Sequence, residues 1–311
     1  MQNSKESSEC IQIVVFGYNR LDKIIARLAE LREINTRNVH VSIDWFSEKL
    51  SEDFRQVLES AQLAWPKESK FSFFIHHSKN GMVRHITETV TRVLEEFDAI
   101  IVIEDDVPIS EEFIYCATER LLNPEFATRY ASVGGFSILK SPVSLRNFNY
   151  WRESPYFLCW GWGTRKEIWE HYRKVLPNEN LEKSLQNSLT WNNLGVKQQE
   201  TWLGRFKKIQ SNPDHTWDIQ FQYLAFKMSK MNLLPVGRVT ENDGFGNLLS
   251  SHTRDRRPWW LGSLAVVNLP FSKSFSPKFI QNLLTWFESY TLIGDRKLHP
   301  ALPWLIRRLK V

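Results

Sequence analysis

The chain has 311 residues, 42% of them hydrophobic, with thirteen Trp and a formal net charge of +5. That length carries one large domain or two modest ones around a proper core, and three scattered thiols (Cys10, Cys116, Cys159) exclude a disulfide framework and fit a reducing cytosol. Seven Lys/Arg against two acids after residue 270 supply the whole net charge, which leaves residues 1–270 neutral and excludes the basic stripe of a nucleic-acid binder.

The opening "MQNSKESSECIQIVVF" has no basic stretch followed by a long apolar run, so no signal peptide is expected. The apolar stretch around "LGSLAVVNLPF" is shorter than the ~18 residues of a membrane span. A cytoplasmic location is the expectation.

"IQIVVF" (11–16) reads as a buried strand and "GYNR" as the turn after it. Apolar residues at 24, 25, 28 and 31 then have helical spacing. "VHVSID" (39–44), "FSFFIH" (71–76) and "AIIVI" (99–103) read as further strands. Helices are expected over 51–64, across "MVRHITETVTRVLEEF", and over 111–122, with another strand at 131–138. The βαβαβαβ order with short connections predicts an α/β fold: a mostly parallel, Rossmann-like sheet with helices on both faces.

After about residue 140 that rhythm stops. "CWGWG" (159–163) reads as too Gly-rich for a core strand and too aromatic for a plain loop. Trp217, Phe221, Leu224 and Met228 form one apolar helical face, and the tail from about 271 reads as helices with apolar and basic faces.

The strongest signal is "IIVIEDDVPISEEF", where an apolar run ends in Glu104, Asp105 and Asp106. Adjacent carboxylates repel and are costly to desolvate, so a cation is expected beside them. Alternation along the strand points Glu104 and Asp106 one way and Asp105 the other. In parallel sheets ligands bind beyond the carboxyl ends of the strands, and Gly17–Arg20 and Asp44 sit at such ends too.

"IIVIEDDVPISEEFIYCATERLL" resembles the metal-binding segment of GT-A glycosyltransferases, in particular the N-acetylglucosaminyltransferase family that initiates complex N-glycans. "IQIVVFGYNRLDKI", "VHVSIDWF", "LCWGWGTRKEIWE" and "TWDIQFQYLAF" resemble further segments of that family in the same order. Together they cover most of residues 11–250. The tail has no counterpart there.

The resemblance implies a GT-A catalytic domain over 1–270, with a nucleotide-binding half (about 11–140) and a donor-sugar and acceptor half (141–270), followed by a basic helical tail (271–311). It implies Mn²⁺ or Mg²⁺ held by Asp106, with Asp105 near the ribose or metal waters, Glu104 outside the direct shell, and His252 as a late metal or phosphate contact. Gly17, Tyr18 and Arg20 would pass the nucleotide, with Arg20 reaching a phosphate. Asp44 would accept from the base, Asn80 would lie on the nucleotide-side loop, and Gly161 and Trp162 would wall the donor sugar. Asp218 would be the catalytic base, with Asp214 and Asp243 as fallbacks.

The function expected is transfer of a sugar from a nucleotide sugar (a UDP-sugar) to a glycan acceptor in surface polysaccharide or glycoconjugate synthesis, with the inversion that the resemblance implies. The tail is read either as a contact with an anionic membrane carrying a lipid-linked acceptor or as packing on the domain. The rivals are a sugar nucleotidyltransferase and a non-catalytic carbohydrate or nucleotide-sugar binder.

Overall fold

The computed structural model describes residues 10–137, 151–172 and 179–245, and in the tail Thr285, Glu288 and Ser289. His252, the remaining tail residues and the membrane contact expected of them lie outside the described residues. Among the described residues no helix is long and apolar enough to cross a membrane.

The first half alternates as the apolar spacing predicts. Strands β1 (Ile11–Gly17), β2 (Asn38–Ile43), β3 (Lys70–Ile75) and β4 (Ala99–Glu104) alternate with helices α1 (Leu21–Glu33), α2 (Glu48–Ala64) and α3 (Met82–Glu96). Ser47 caps α2 by accepting the Leu50 amide at 3.3 Å. Ser110 caps α4 (Glu111–Leu121), accepting from Phe113 at 3.4 Å. A short helix, α5 (Phe126–Arg129), leads into β5 (Tyr130–Gly134).

The sheet does not stop where the rhythm does. β6 (Trp151–Ser154), β7 (Trp162–Arg165) and β8 (Met231–Pro235) complete eight strands in the order β3-β2-β1-β4-β7-β5-β8-β6. β1 pairs parallel with β2 and β4, β2 pairs parallel with β3, and β5 pairs parallel with β8. β7 runs antiparallel between β4 and β5, and β6 is antiparallel to β8. This is the expected mixed α/β architecture, with a mostly parallel, Rossmann-like first half and helices on both faces.

The expectation for "CWGWG" is corrected here, because its end enters a central strand. A Cβ on Gly163 would lie 2.8 Å from Leu121 Cδ1 and 2.9 Å from the Ile100 carbonyl oxygen. Glycine is what lets α4 close down on the sheet at that point.

Helices α6 (Lys166–Tyr172), α7 (Leu181–Leu185), α8 (Leu189–Asn192), α9 (Val196–Ser211) and α10 (Asp218–Lys227) cover the second half. One core layer packs α1, α2 and α4 on the sheet, and the opposite layer joins α3, α6 and α10. A third cluster binds α7, α8 and α9 to α10. α10 is therefore buried nearly all round, from Gln220 to Phe226, rather than on one face. Trp162, Trp169 and Trp217 are fully buried in the core.

In the tail, Glu288 and Ser289 are both buried. Glu288 forms a salt bridge with Arg152 of β6 and accepts the Ser154 hydroxyl at 2.7 Å. Ser289 meets the Tyr156 hydroxyl and the Gln198 amide, each at 2.6 Å. At these two positions the tail packs on the domain.

Candidate active site

The carboxyl ends of β1, β2 and β4, the start of α3 and the 3₁₀ turn Pro213–His215 enclose a cleft of about 290 Å³. Glu104 and Asp105 line one side and Asp44, Lys79 and Gly81 the other. Tyr18 and Arg20 lie between them, and Asp214 and His215 form a third wall.

The cation beside the acids is, within this chain, Arg20. Its Nε donates to Asp105 Oδ2 at 3.2 Å and its Nη2 to Asp105 Oδ1 and, at 3.2 Å, to Asp106 Oδ2. Nε and Nη2 are thus committed to carboxylates, while Nη1 is buried with no hydrogen-bond partner among the described residues. Asp105 and Asp106 meet the same guanidinium because β4 ends at Glu104 and the chain turns there, Val107 donating to the Glu104 carbonyl at 2.9 Å. The strand alternation expected across 104–106 stops at that turn.

Burial pushes the Asp105 carboxyl up to about 6 against the pull of Arg20, with Asp106 adding repulsion. Glu104 is raised well above the usual carboxylate range by burial and by the charges of Asp106, Asp105 and Asp218. Asp106 Oδ1 is buried with no hydrogen-bond partner among the described residues.

That orphaned oxygen is the test of fit for a divalent cation. Among the described residues no three His, Cys, Asp or Glu side chains form a closed cage. One buried carboxylate oxygen without a partner among the described residues, next in the chain to the cleft-lining Glu104 and Asp105, suits a Mg²⁺-like ion that takes its other ligands from phosphate and water. The residues fit such an ion, which Asp106 would hold.

Asp44 is buried and already employed. Its Oδ1 accepts the amides of Trp45 (3.0 Å) and Asn80 (2.9 Å), and its Oδ2 accepts that of Gly81 (3.0 Å). It therefore braces the 79–81 loop and the start of α3, leaving the capping of α2 to Ser47. The Asn80 side chain turns to His76 Nδ1 at 2.5 Å. The Tyr18 ring lies edge-on to half-exposed Phe46, with Lys79 Nζ 5.9 Å from its centre. A Cβ on Gly17 would lie 2.7 Å from both Ile24 and Ile43 side chains, so its smallness serves the packing of α1 against β2.

Asp218 opens α10, and its Oδ1 accepts the Thr216 hydroxyl. It lies near enough to Glu104 for their charges to interact. Asp214 is exposed on the cleft wall. Asp243 sits beside the acidic turn, its amide donating to the Asp106 carbonyl at 2.9 Å and its carboxylate paired with Lys23 at 2.5 Å. Trp162 is placed in the core, stacked on Trp217 at 5.0 Å, and forms no wall of the cleft. The Gly161 carbonyl accepts the Gly135 amide at 2.8 Å behind it.

Sequence reasoning missed His85, which lines the floor of the cleft. Its Nε2 meets Ser42 Oγ at 2.8 Å, and its ring stands 5.0 Å from that of His76. Burial holds His85 near 3, with His76, His40 and Arg92 adding to the shift, and holds His40 near 4, with Arg92 adding. Both values lie below the unfolded value of about 6.5, so these neutral imidazoles contribute stability above pH 6.5 that is lost as pH falls. His40→Asn removes one of the two titrations. The parent's stability advantage over this variant is expected to shrink by about 1.4 kcal/mol per pH unit below pH 6. Urea denaturation of both proteins at pH 7 and pH 5 checks this; a constant difference overturns it.

No protein-family model and no curated protein matches the chain. Among solved structures, 4-diphosphocytidyl-2C-methyl-D-erythritol synthase from Anaerococcus prevotii is similar over 56% of this chain and 80% of its own, at 8% identity and a TM-score of 0.34. A UDP-glucose pyrophosphorylase complexed with UDP-glucose is similar over 55% and 82%, at 10% identity and 0.33. The glycosyltransferase GlyE of Streptococcus pneumoniae is similar over 89% of this chain and 63% of its own, at 15% identity and 0.31.

Proposed function

We propose that the protein is a metal-dependent transferase that moves a sugar from a nucleotide sugar, a UDP-sugar, to a glycan acceptor with inversion. The observation that carries this reading is the buried acidic turn at the carboxyl edge of a parallel sheet, with Asp106 Oδ1 unpartnered among the described residues and Asp218 within electrostatic reach of Glu104. Bound there, a divalent cation would neutralise the diphosphate of the departing nucleotide. Asp106 would hold the cation, Arg20 fixes both carboxylates, and the loop braced by Asp44 would border the nucleoside. Asp218 takes the proton of the acceptor hydroxyl as that oxygen attacks the anomeric carbon.

The test is calorimetric titration with UDP and Mn²⁺. Asp106→Asn is expected to weaken binding at least tenfold with the fold intact, since removing a metal-site partner costs about 10–100-fold. Unchanged affinity in the variant overturns the metal assignment. A panel of nucleotide sugars separates the rivals: slow cation-dependent hydrolysis of one donor marks a glycosyltransferase, and pyrophosphate exchange marks a nucleotidyltransferase. Binding with neither reaction marks a non-catalytic protein.

A further inference from the structure

The acidic turn is held from outside by two residues that its own sequence does not announce. Arg27, on α1, is only 3% exposed. Its Nε and Nη2 grip Glu30 at 2.8 and 2.6 Å, and its Nη1 donates to the Asp105 carbonyl at 3.0 Å, across 78 residues. Glu30 in turn accepts the Ile109 amide at 2.8 Å, across 79 residues. An ordinary exposed pair at this helical spacing contributes only a few tenths of a kcal/mol, and neither side chain need touch another element. Here each partner takes hold of the turn on one side of Asp106.

The geometry makes α1 a single fixture for the site. Arg20, directly before the helix, holds the two carboxylates. Arg27 comes seven residues later, two helical turns or about 10.5 Å along the axis, and holds the backbone behind them. Pro108 cannot donate a backbone hydrogen bond, so Ile109 offers the next amide after Val107 by which the turn can be tied. The amide of Val107 is spent within the turn on Glu104, and the carbonyl of Asp106 goes to Asp243.

We infer that Arg27 and Glu30 are positioning residues that fix the Asp105–Asp106 backbone, and so set the affinity of the acidic turn for a cation–diphosphate pair. The inference rests on the proposed function for its ligand, and on the hydrogen bonds alone for the pinning.

Two measurements separate these. Hydrogen exchange on the full chain reads the pinning. In Arg27→Met, Val107 and Ile109 are expected to exchange faster while β1 and β4 stay as in the parent. Calorimetric titration with UDP and Mn²⁺ reads the consequence. Arg27→Met is expected to lose 10–100-fold in affinity with a melting temperature within a few degrees of the parent, and Arg27→Lys to recover part of that loss. Glu30→Gln, which keeps its shape and both polar atoms, gives a smaller loss in the same direction and decides the matter if Arg27→Met does not fold. Unchanged exchange, or unchanged affinity in a folded variant, overturns the inference. A parent that binds no UDP with Mn²⁺ present overturns the proposed function instead, and the exchange result still judges the pinning.

Discussion

Asp218→Asn is expected to retain donor binding and to lose about 10²–10⁴ in turnover, the usual contribution of a general base. The substitution keeps the side chain's shape and its bond to Thr216, so the start of α10 is undisturbed. Asn at a first helical turn still caps or tolerates that position, whereas it cannot take a proton. The half-buried carboxylate lies within electrostatic reach of Glu104, Arg205 and Cys159, whose titrations it shifts. This puts it beside the acidic turn rather than on the far face of the helix. Turnover and UDP–Mn²⁺ affinity measured on the same preparation decide the point. If turnover stays within severalfold of the parent, the base lies elsewhere, with exposed Asp214 the next candidate.

Glu288→Ala is expected to destabilise the protein by about 3–5 kcal/mol, because removing one partner of a buried ion pair strands the other charge. Arg152 is 5% exposed and Glu288 fully buried. Both guanidinium nitrogens Nη1 and Nη2 donate to Glu288, and Ser154 donates to it as well. Replacing both members by Met is expected to return most of the loss, since buried pairs are often no more stable than apolar residues of similar volume. Urea denaturation of the parent, the single variant and the double variant checks this. A single variant within about 0.5 kcal/mol of the parent means that the tail contributes nothing to the domain at this point.

The first half of the sheet was legible because its signals are local. Ile24, Leu28 and Leu31 repeat at helical spacing and are all buried, β1 and β4 are short, mostly apolar runs closed by a turn, and β2 carries its apolar residues at 39, 41 and 43. The second half hides its strands. β7 reads "WGTR", and its reason for being a strand lies in Leu121 and Ile100, far off in the sequence. In β8, buried Asn232 is satisfied by Ser132 across 100 residues. In α10, Gln222 sits in the core because it meets the Phe157 amide at 2.6 Å and the Pro155 carbonyl at 2.9 Å. A polar residue whose partner is that distant breaks every periodic pattern that a sequence shows.

The same contrast governs the site. Three acids after an apolar run are visible because their cost is local. Arg27 and Glu30 look like one more surface pair on a helix, and His85 like one more polar residue near a helix start. The Trp residues misled in the opposite sense: Trp162 carries the composition of a sugar platform but stacks on Trp217 in the core.

The strand order has a consequence for the time at which each part of the molecule is made. Pairings among β1, β2, β3 and β4 close within residues 11–104, so that half of the sheet can assemble while the rest is still being synthesised. β5 has no neighbour until β7 and β8 exist, and β8 ends at Pro235. Such distant pairings carry the larger loop-closure cost and come late. Pulse-labelled hydrogen exchange during refolding is expected to protect β1 and β2 before β5, and simultaneous protection overturns that order. The acidic turn stands at the seam. Its carboxylates and Arg20 belong to the early half, while the amide that ties down the Asp106 carbonyl comes from Asp243. A nascent or truncated chain can therefore carry all three acids of the turn in place and still lack the last tether that holds them there.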